Sequence, residues 1–154
     1  MRKLKLSQNR YALVDDEDYG RLSILKWQYH SAGYAVRGIN GQKMYLHRFL
    51  LQAPQGKDVD HINGNRLDNR KENLRICTRS QNQHNRNKTT NKTSSRFKGV
   101  NWVSKFKKWT AGVGLDNVHY RLGYFDSEIE AAKAYDVKAF ALHGEFARLN
   151  FERN

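Results

Sequence analysis

The sequence predicts an α+β protein built from two small domains. Three observations carry that expectation: short runs of alternating apolar and polar residues recur along the chain, two helix-start signatures follow such runs, and a stretch without apolar residues separates one set from the other. The 154 residues carry 28 Lys+Arg against 15 Asp+Glu, a formal net charge of +13. A hydrophobic fraction of 38% with 12% aromatics is too apolar for a disordered chain, and no apolar run approaches the roughly 20 residues needed to cross a bilayer.

Taken in order, Leu4 and Leu6, then Tyr11 and Leu13, mark the apolar positions of two strands. The acidic run Asp15 to Asp18 suits the positive N-terminal end of a helix carrying Leu22 and Leu25. Tyr34 and Val36 alternate before Asn40-Gly41, a pair able to take the positive φ of a tight turn, and Met44 and Leu46 alternate after it, which predicts a hairpin. LHRFLLQ predicts a short helix stopped by Ala53-Pro54-Gln55-Gly56. Residues 57–61 form a strand, INGN a turn and residues 73–77 a second strand; Thr78 and Gln81 have capping-box spacing, so a helix follows from about 79 to 87. NRNKTTNKTSS, at 85–95, has nothing apolar to bury and reads as a linker. The domains are then 1–85 and 96–154, with 86–95 between them.

In the second domain, RFKGVNWVSKFKKWTAGVGLDNVHYRLGYFD predicts three strands with turns near Lys105 to Lys107 and at Asp116-Asn117. Ser127 and Glu130 form another capping box, opening a helix over about 128–142 whose Ala131, Ala132, Ala134, Tyr135, Ala139 and Leu142 allow close packing on a sheet, with Gly144 as its stop. In the middle strand Trp109, Ala111, Val113 and Leu115 point one way, which leaves Thr110, Gly112 and Gly114 facing out.

The charge is concentrated. From Glu72 to Asp116 there is no carboxylate, while Arg75, Arg79, Arg86, Lys88, Lys92, Arg96, Lys98, Lys105, Lys107 and Lys108 fall between them. Such a run points to a polyanionic partner, and nucleic acid ranks above a merely solvated face. The residues MRKLKLSQNRY lack the apolar core of a secretory signal, and no membrane association is expected, so the expected location is intracellular. Cys77 is the only cysteine, which excludes intramolecular disulfides, CxxC redox chemistry and zinc sites built from cysteine pairs.

The strand–turn–strand–helix unit of the first domain gathers Asp60, His61, Asn73 and Asn82 within a short stretch of chain. A carboxylate and an amide oxygen are hard ligands suited to Mg²⁺, which takes few protein ligands beside phosphate oxygens and water. An adjacent imidazole can take a proton from an attacking water, and Asn73 can fix the orientation of that ring. The segment VDHINGNRLDNRKENLRICTRSQNQHN resembles the HNH nuclease motif of phage and intron-encoded homing endonucleases, the ββα-metal type without structural zinc. The resemblance implies that Asp60 and Asn82 bind the divalent metal (Mg²⁺ or Mn²⁺), that His61 is the general base and that Asn73 supports it. His47, in YLHRFLL, matches a histidine often found upstream of this motif, and a buried core role is the favoured reading.

The second domain resembles the plant Apetala-type, or ethylene-response-factor (AP2/ERF), DNA-binding domain through FKGV, KKWTA, LGYF and EAAKAYDVKAFALHGEFARLNF. That resemblance implies a three-stranded antiparallel sheet, packed on one helix, that enters the major groove of double-stranded DNA. Positions where plant members place base-contacting arginines are here Asn101, Val103, Gly114 and His119, while Lys98 and Arg121 keep a polar reach, so the plant target sequence does not transfer. Asn101, His119 and Arg121 join the ten basic residues as expected DNA contacts.

The expected function is a site-directed, homing-type DNA endonuclease acting in a bacterial or phage-infected cell, with one centre per chain cutting one strand. A double-strand break then needs two protomers or two successive visits; the oligomeric state is left open, a monomer being plausible. The competing expectation is a DNA-binding regulator whose HNH unit is inactive. An RNA-binding protein ranks third, because the chain lacks an RNP-type aromatic pattern.

Overall fold

The computed structural model describes residues 1–88 and 94–151 and divides into two compact units, Met1–Asn82 and Gln83–Asn154. It is mixed α and β, with small antiparallel sheets.

In the first unit β1 (Arg2–Lys5) pairs with β2 (Tyr11–Val14), placing Leu4 opposite Ala12. Leu4, Ala12 and Val14 are buried and Tyr11 is exposed, so the core face of β2 is the reverse of the expected Tyr11 and Leu13 face. The run YALV has no polar residue to mark its outer side, and pairing with β1 decides the parity. Helix α1 (Asp16–Ser23) carries Asp16, Glu17 and Asp18 in its first turn and buries Leu22. Strand β3 (Gln28–Tyr29), too short to show a period in the sequence, joins β4 (Ala35–Ile39) and β5 (Gln42–Tyr45) in a three-stranded sheet. Asn40 and Gly41, at φ 48° and 76°, make the tight turn. Helix α2 (Leu46–Leu51) follows and ends at Gln52, whose left-handed backbone (φ 47°) precedes Ala53-Pro54. Leu46, Leu50, Leu22, Val14 and Trp27 form the core against which the next hairpin rests.

That hairpin is β6 (Asp58–His61) paired with β7 (Leu74–Cys77), followed by α3 (Arg79–His84). Both halves of the capping box form: Gln81 N–H donates to Thr78 Oγ1 at 3.2 Å, and Thr78 N–H donates to Gln81 Oε1 at 2.8 Å. The helix stops at His84, short of the expected 87.

In the second unit β8 (Val100–Val103), β9 (Lys108–Leu115) and β10 (Val118–Phe125) form a sheet of order β10-β9-β8, with positive φ at Asp116 and Asn117 in the last turn. Helix α4 (Glu128–His143) starts at Ser127, whose hydroxyl accepts from the Ile129 and Glu130 N–H groups. Ala131, Ala132, Tyr135 and Ala139 pack on Val100, Ala111 and Val113. The Tyr135 ring lies so close to Gly99 (φ 74°) that any Cβ there would overlap it.

The described ends of the expected linker are held down. Lys88 Nζ donates to the carbonyls of Phe97 (2.5 Å) and Val100 (3.3 Å), and Ser95 is buried. Residues 89–93, including Lys92, lie outside the described residues. Among the described residues no helix is long and apolar enough to cross a membrane.

Candidate active site

The loop that joins β6 to β7 is locked by amides. The Asn73 side chain accepts from Asn63 N–H at 2.9 Å and donates to the Asp68 carbonyl at 2.8 Å, so its amide ties both ends of the turn. Asp68 is 2% exposed and is gripped by Arg70 through Nε (2.8 Å) and Nη2 (2.7 Å), which holds its carboxyl below the usual range against the opposing effect of burial. The loop is also pinned to β2: Leu13 N–H donates to Leu67 O and Asn69 N–H to Leu13 O, both at 2.8 Å. Asn73 therefore shapes the loop behind His61.

Neighbouring strand residues point to opposite faces, and β6 sorts its functional groups accordingly. Asp58 and Asp60 share one face, with Asp60 opposite Arg75 and Asp58 opposite Cys77. His61 is opposite Leu74 and is 5% exposed among rings: His47 at 5.0 Å edge-on, and Tyr34 at 6.1 Å. Burial pushes the His61 imidazole below its ordinary range, opposed by Asn69, Asp60 and Asp68, so the ring is neutral near pH 7. His47 is driven further, to about 3, by burial and then by His61 and Arg48; its Nδ1 is buried without a hydrogen-bond partner. Burial, followed by Asp60 and Asp58, pushes the Cys77 thiol up to about 11, which keeps it a protonated strand residue rather than a ligand.

Helix α3 brings Asn82 onto the carboxylate face. Its Nδ2 donates to Asp58 Oδ2 at 3.0 Å, leaving the amide oxygen as the end available to a cation. Asp60 presents a second hard oxygen donor, although its Oδ2 also accepts Arg75 Nε (2.9 Å) and Nη2 (2.7 Å). One carboxylate and one amide oxygen fit a Mg²⁺-like ion that fills its other positions with water and phosphate. Among the described residues no three His, Cys, Asp or Glu side chains converge as an all-protein cage. Asp58, which accepts from Asn82, was absent from the sequence-based expectation. Its signal was the period-two spacing of two aspartates in KDVDH.

The expected phosphate contacts divide. Arg75, with a side chain only 12% exposed, pairs with Asp60. Lys98 Nζ donates to the carbonyls of His84 (2.6 Å) and Arg86 (2.8 Å), and burial lowers its pKa to about 8. Lys88 Nζ donates to the carbonyls of Phe97 and Val100. Arg79, Arg86, Arg96, Lys105 and Lys107 are exposed, and Lys108 faces Asp126 at 2.9 Å. On the outer side of the second unit's sheet, Asn101 pairs with Thr110, His119 with Gly114 and Arg121 with Gly112, and the His119 ring lies over Gly112 where any Cβ would displace it. Asn101, Gly114, His119 and Arg121 are all exposed.

Comparison with known proteins agrees with this hairpin. The family model described as HNH endonuclease matches residues 52–84, from the end of α2 to the end of α3. Over 146 residues the chain is 34% identical to an uncharacterized HNH endonuclease of Acanthamoeba polyphaga mimivirus, covering 91% of this chain and 74% of the relative. This chain belongs to the HNH endonucleases. It is a nuclease by that membership, and it is also 32% identical over 95 residues to Protein 3.8 of Escherichia phage T7, covering 62% of this chain and 77% of that protein. A partial likeness of another kind accompanies these. Over 61 residues, 38% of this chain but only 14% of the relative, it is 44% identical to APETALA2-like protein 2 of Oryza sativa subsp. indica.

Proposed function

We propose that this HNH endonuclease is a homing-type enzyme that hydrolyses phosphodiester bonds of double-stranded DNA with a divalent cation, in a phage- or virus-infected cell. The observation that carries the reading is the placement of Asn82, from α3, over the β6 face that bears Asp60, which sets two hard oxygen donors on one side of the hairpin. In this reading Asp60 and Asn82 hold Mg²⁺ or Mn²⁺. A bound cation supplies charge stabilisation at the scissile phosphate and its leaving oxygen. His61 takes the proton of the attacking water at a ring nitrogen, its plane kept by the surrounding His47 and Tyr34 rings. Asn73, Asp68 and Arg70 keep the loop behind it closed to rearrangement. The second unit, by its likeness to a plant APETALA2-like protein and its exposed Asn101, His119 and Arg121, lays the β8–β10 sheet against DNA, while Lys105 and Lys107 meet phosphates.

A second reading, a DNA-binding regulator with a silent HNH unit, is favoured by one observation: Arg75 already engages the Asp60 carboxylate. Supercoiled plasmid incubated with protein and Mg²⁺ or EDTA, beside His61→Ala, separates the two. The endonuclease reading expects nicking or linearisation that needs the metal and vanishes in His61→Ala, with DNA affinity kept. Bound but uncut DNA carrying the recognised site, with either Mg²⁺ or Mn²⁺, selects the regulator.

A further inference from the structure

We infer that Asp58 is a positioning residue that sets which end of the Asn82 amide faces the divalent cation, an inference that rests on Asn82 holding that ion. The two ends of a carboxamide are alike in size and shape, but a cation accepts only the oxygen. Something must sort them. A carboxylate oxygen accepts hydrogen bonds, so Asp58 Oδ2, receiving Asn82 Nδ2 at 3.0 Å, selects the nitrogen end and turns the oxygen away from itself.

The placement of Asp58 makes this selection one-sided. It sits two residues before Asp60 on β6 and shares its strand face. Across the ladder stands Cys77, a buried thiol that stays protonated and offers no competing charge. Arg75, on the same face, donates to Asp60. Asn82 itself lies in the second turn of α3, where its N–H donates to the Thr78 carbonyl at 3.0 Å, so the backbone fixes where the side chain begins and Asp58 fixes where it ends. Each is needed because a six-residue helix holds its side chains weakly by itself. Partners that orient metal ligands in this way typically contribute about 10–100-fold in metal affinity.

The test is direct binding of Mn²⁺ to the full chain, followed by the loss of the free-ion electron paramagnetic resonance signal, with thermal melts to establish folding. Asp58→Ala is expected to weaken Mn²⁺ binding by about 10–100-fold. Exchanging the pair, Asp58→Asn with Asn82→Asp, keeps the charge count and rebuilds the hydrogen bond in the opposite sense, and is expected to recover most of that loss. The exchanged pair also carries the test should Asp58→Ala fail to fold. A wild type that takes up no Mn²⁺ overturns the assignment of the ion, and this inference with it. Wild-type binding that Asp58→Ala leaves unchanged overturns the role of Asp58 alone. Should the exchanged pair stay as weak as Asp58→Ala, a carboxylate is required at 58 in its own right, and positioning through Asn82 is overturned.

Discussion

His47 illustrates how a single buried imidazole couples packing to pH. The ring is 7% exposed, stacks edgewise on His61 and leaves Nδ1 unpartnered, so folding favours its neutral form. Its folded-state pKa of about 3 lies below the ordinary 6.5, so the unfolded chain takes up the proton first and the stability from the neutral ring is present above about pH 6.5. That stability is lost progressively as pH falls from 6.5 towards 3. Between pH 7.5 and pH 5 the difference amounts to about 2 kcal/mol from this residue. Denaturant melts at the two pH values, compared with His47→Phe, check it: the variant should lose about 2 kcal/mol less than wild type over that interval. Equal acid sensitivity of the two proteins would remove the claim.

At the level of elements, α3 matters out of proportion to its six residues, because Asn82 projects from it and Thr78 and Gln81 close its first turn. Thr78→Ala removes the acceptor for the Gln81 N–H and is expected to cost about 1 kcal/mol of stability. Since the same turn carries Asn82, the variant should also need more Mg²⁺ for half-maximal cleavage while DNA affinity is unchanged. A metal titration of plasmid nicking, beside a urea melt, reads both. The capping spacing, the Asn40-Gly41 turn and the α4 start at Ser127 were legible from the chain because each depends on residues within four positions of one another. The core face of β2 and the existence of β3 were not. YALV is apolar throughout and β3 has two residues, so only their neighbours in the folded sheet define them.

For the whole molecule, the acid-free run from Glu72 to Asp116 signalled a polyanion partner, yet the folded chain spends part of that charge on itself. Arg75 serves a carboxylate, and Lys88 and Lys98 serve backbone carbonyls. These roles separate by salt dependence. If about five of the remaining cations meet phosphates, log K against log[salt] has a slope of about −4 to −5. Lys107→Ala should reduce the magnitude of that slope by about 1, whereas Lys98→Met should leave the slope unaltered and lower the melting temperature. Fluorescence anisotropy with a labelled duplex at several salt concentrations provides the measurement. A slope change in Lys98→Met equal to that in Lys107→Ala would show that Lys98 reaches DNA after all.

The sequence by itself determined the α+β class, the hairpin-and-helix order around Asp60, His61, Asn73 and Asn82, and the positive charge of the chain, because these follow from local spacing and composition. Tertiary structure decided which face each group joins and which partner it keeps. Asp58 and Asn82 stand far apart along the chain and meet only when α3 folds back over β6, and the Asn73 amide is engaged by Asn63 and Asp68 within the loop. A charge or an amide in a sequence carries no record of its partner. Burial selects the partner, since a polar group withdrawn from water is held by whatever complementary atom the fold brings within about 3 Å.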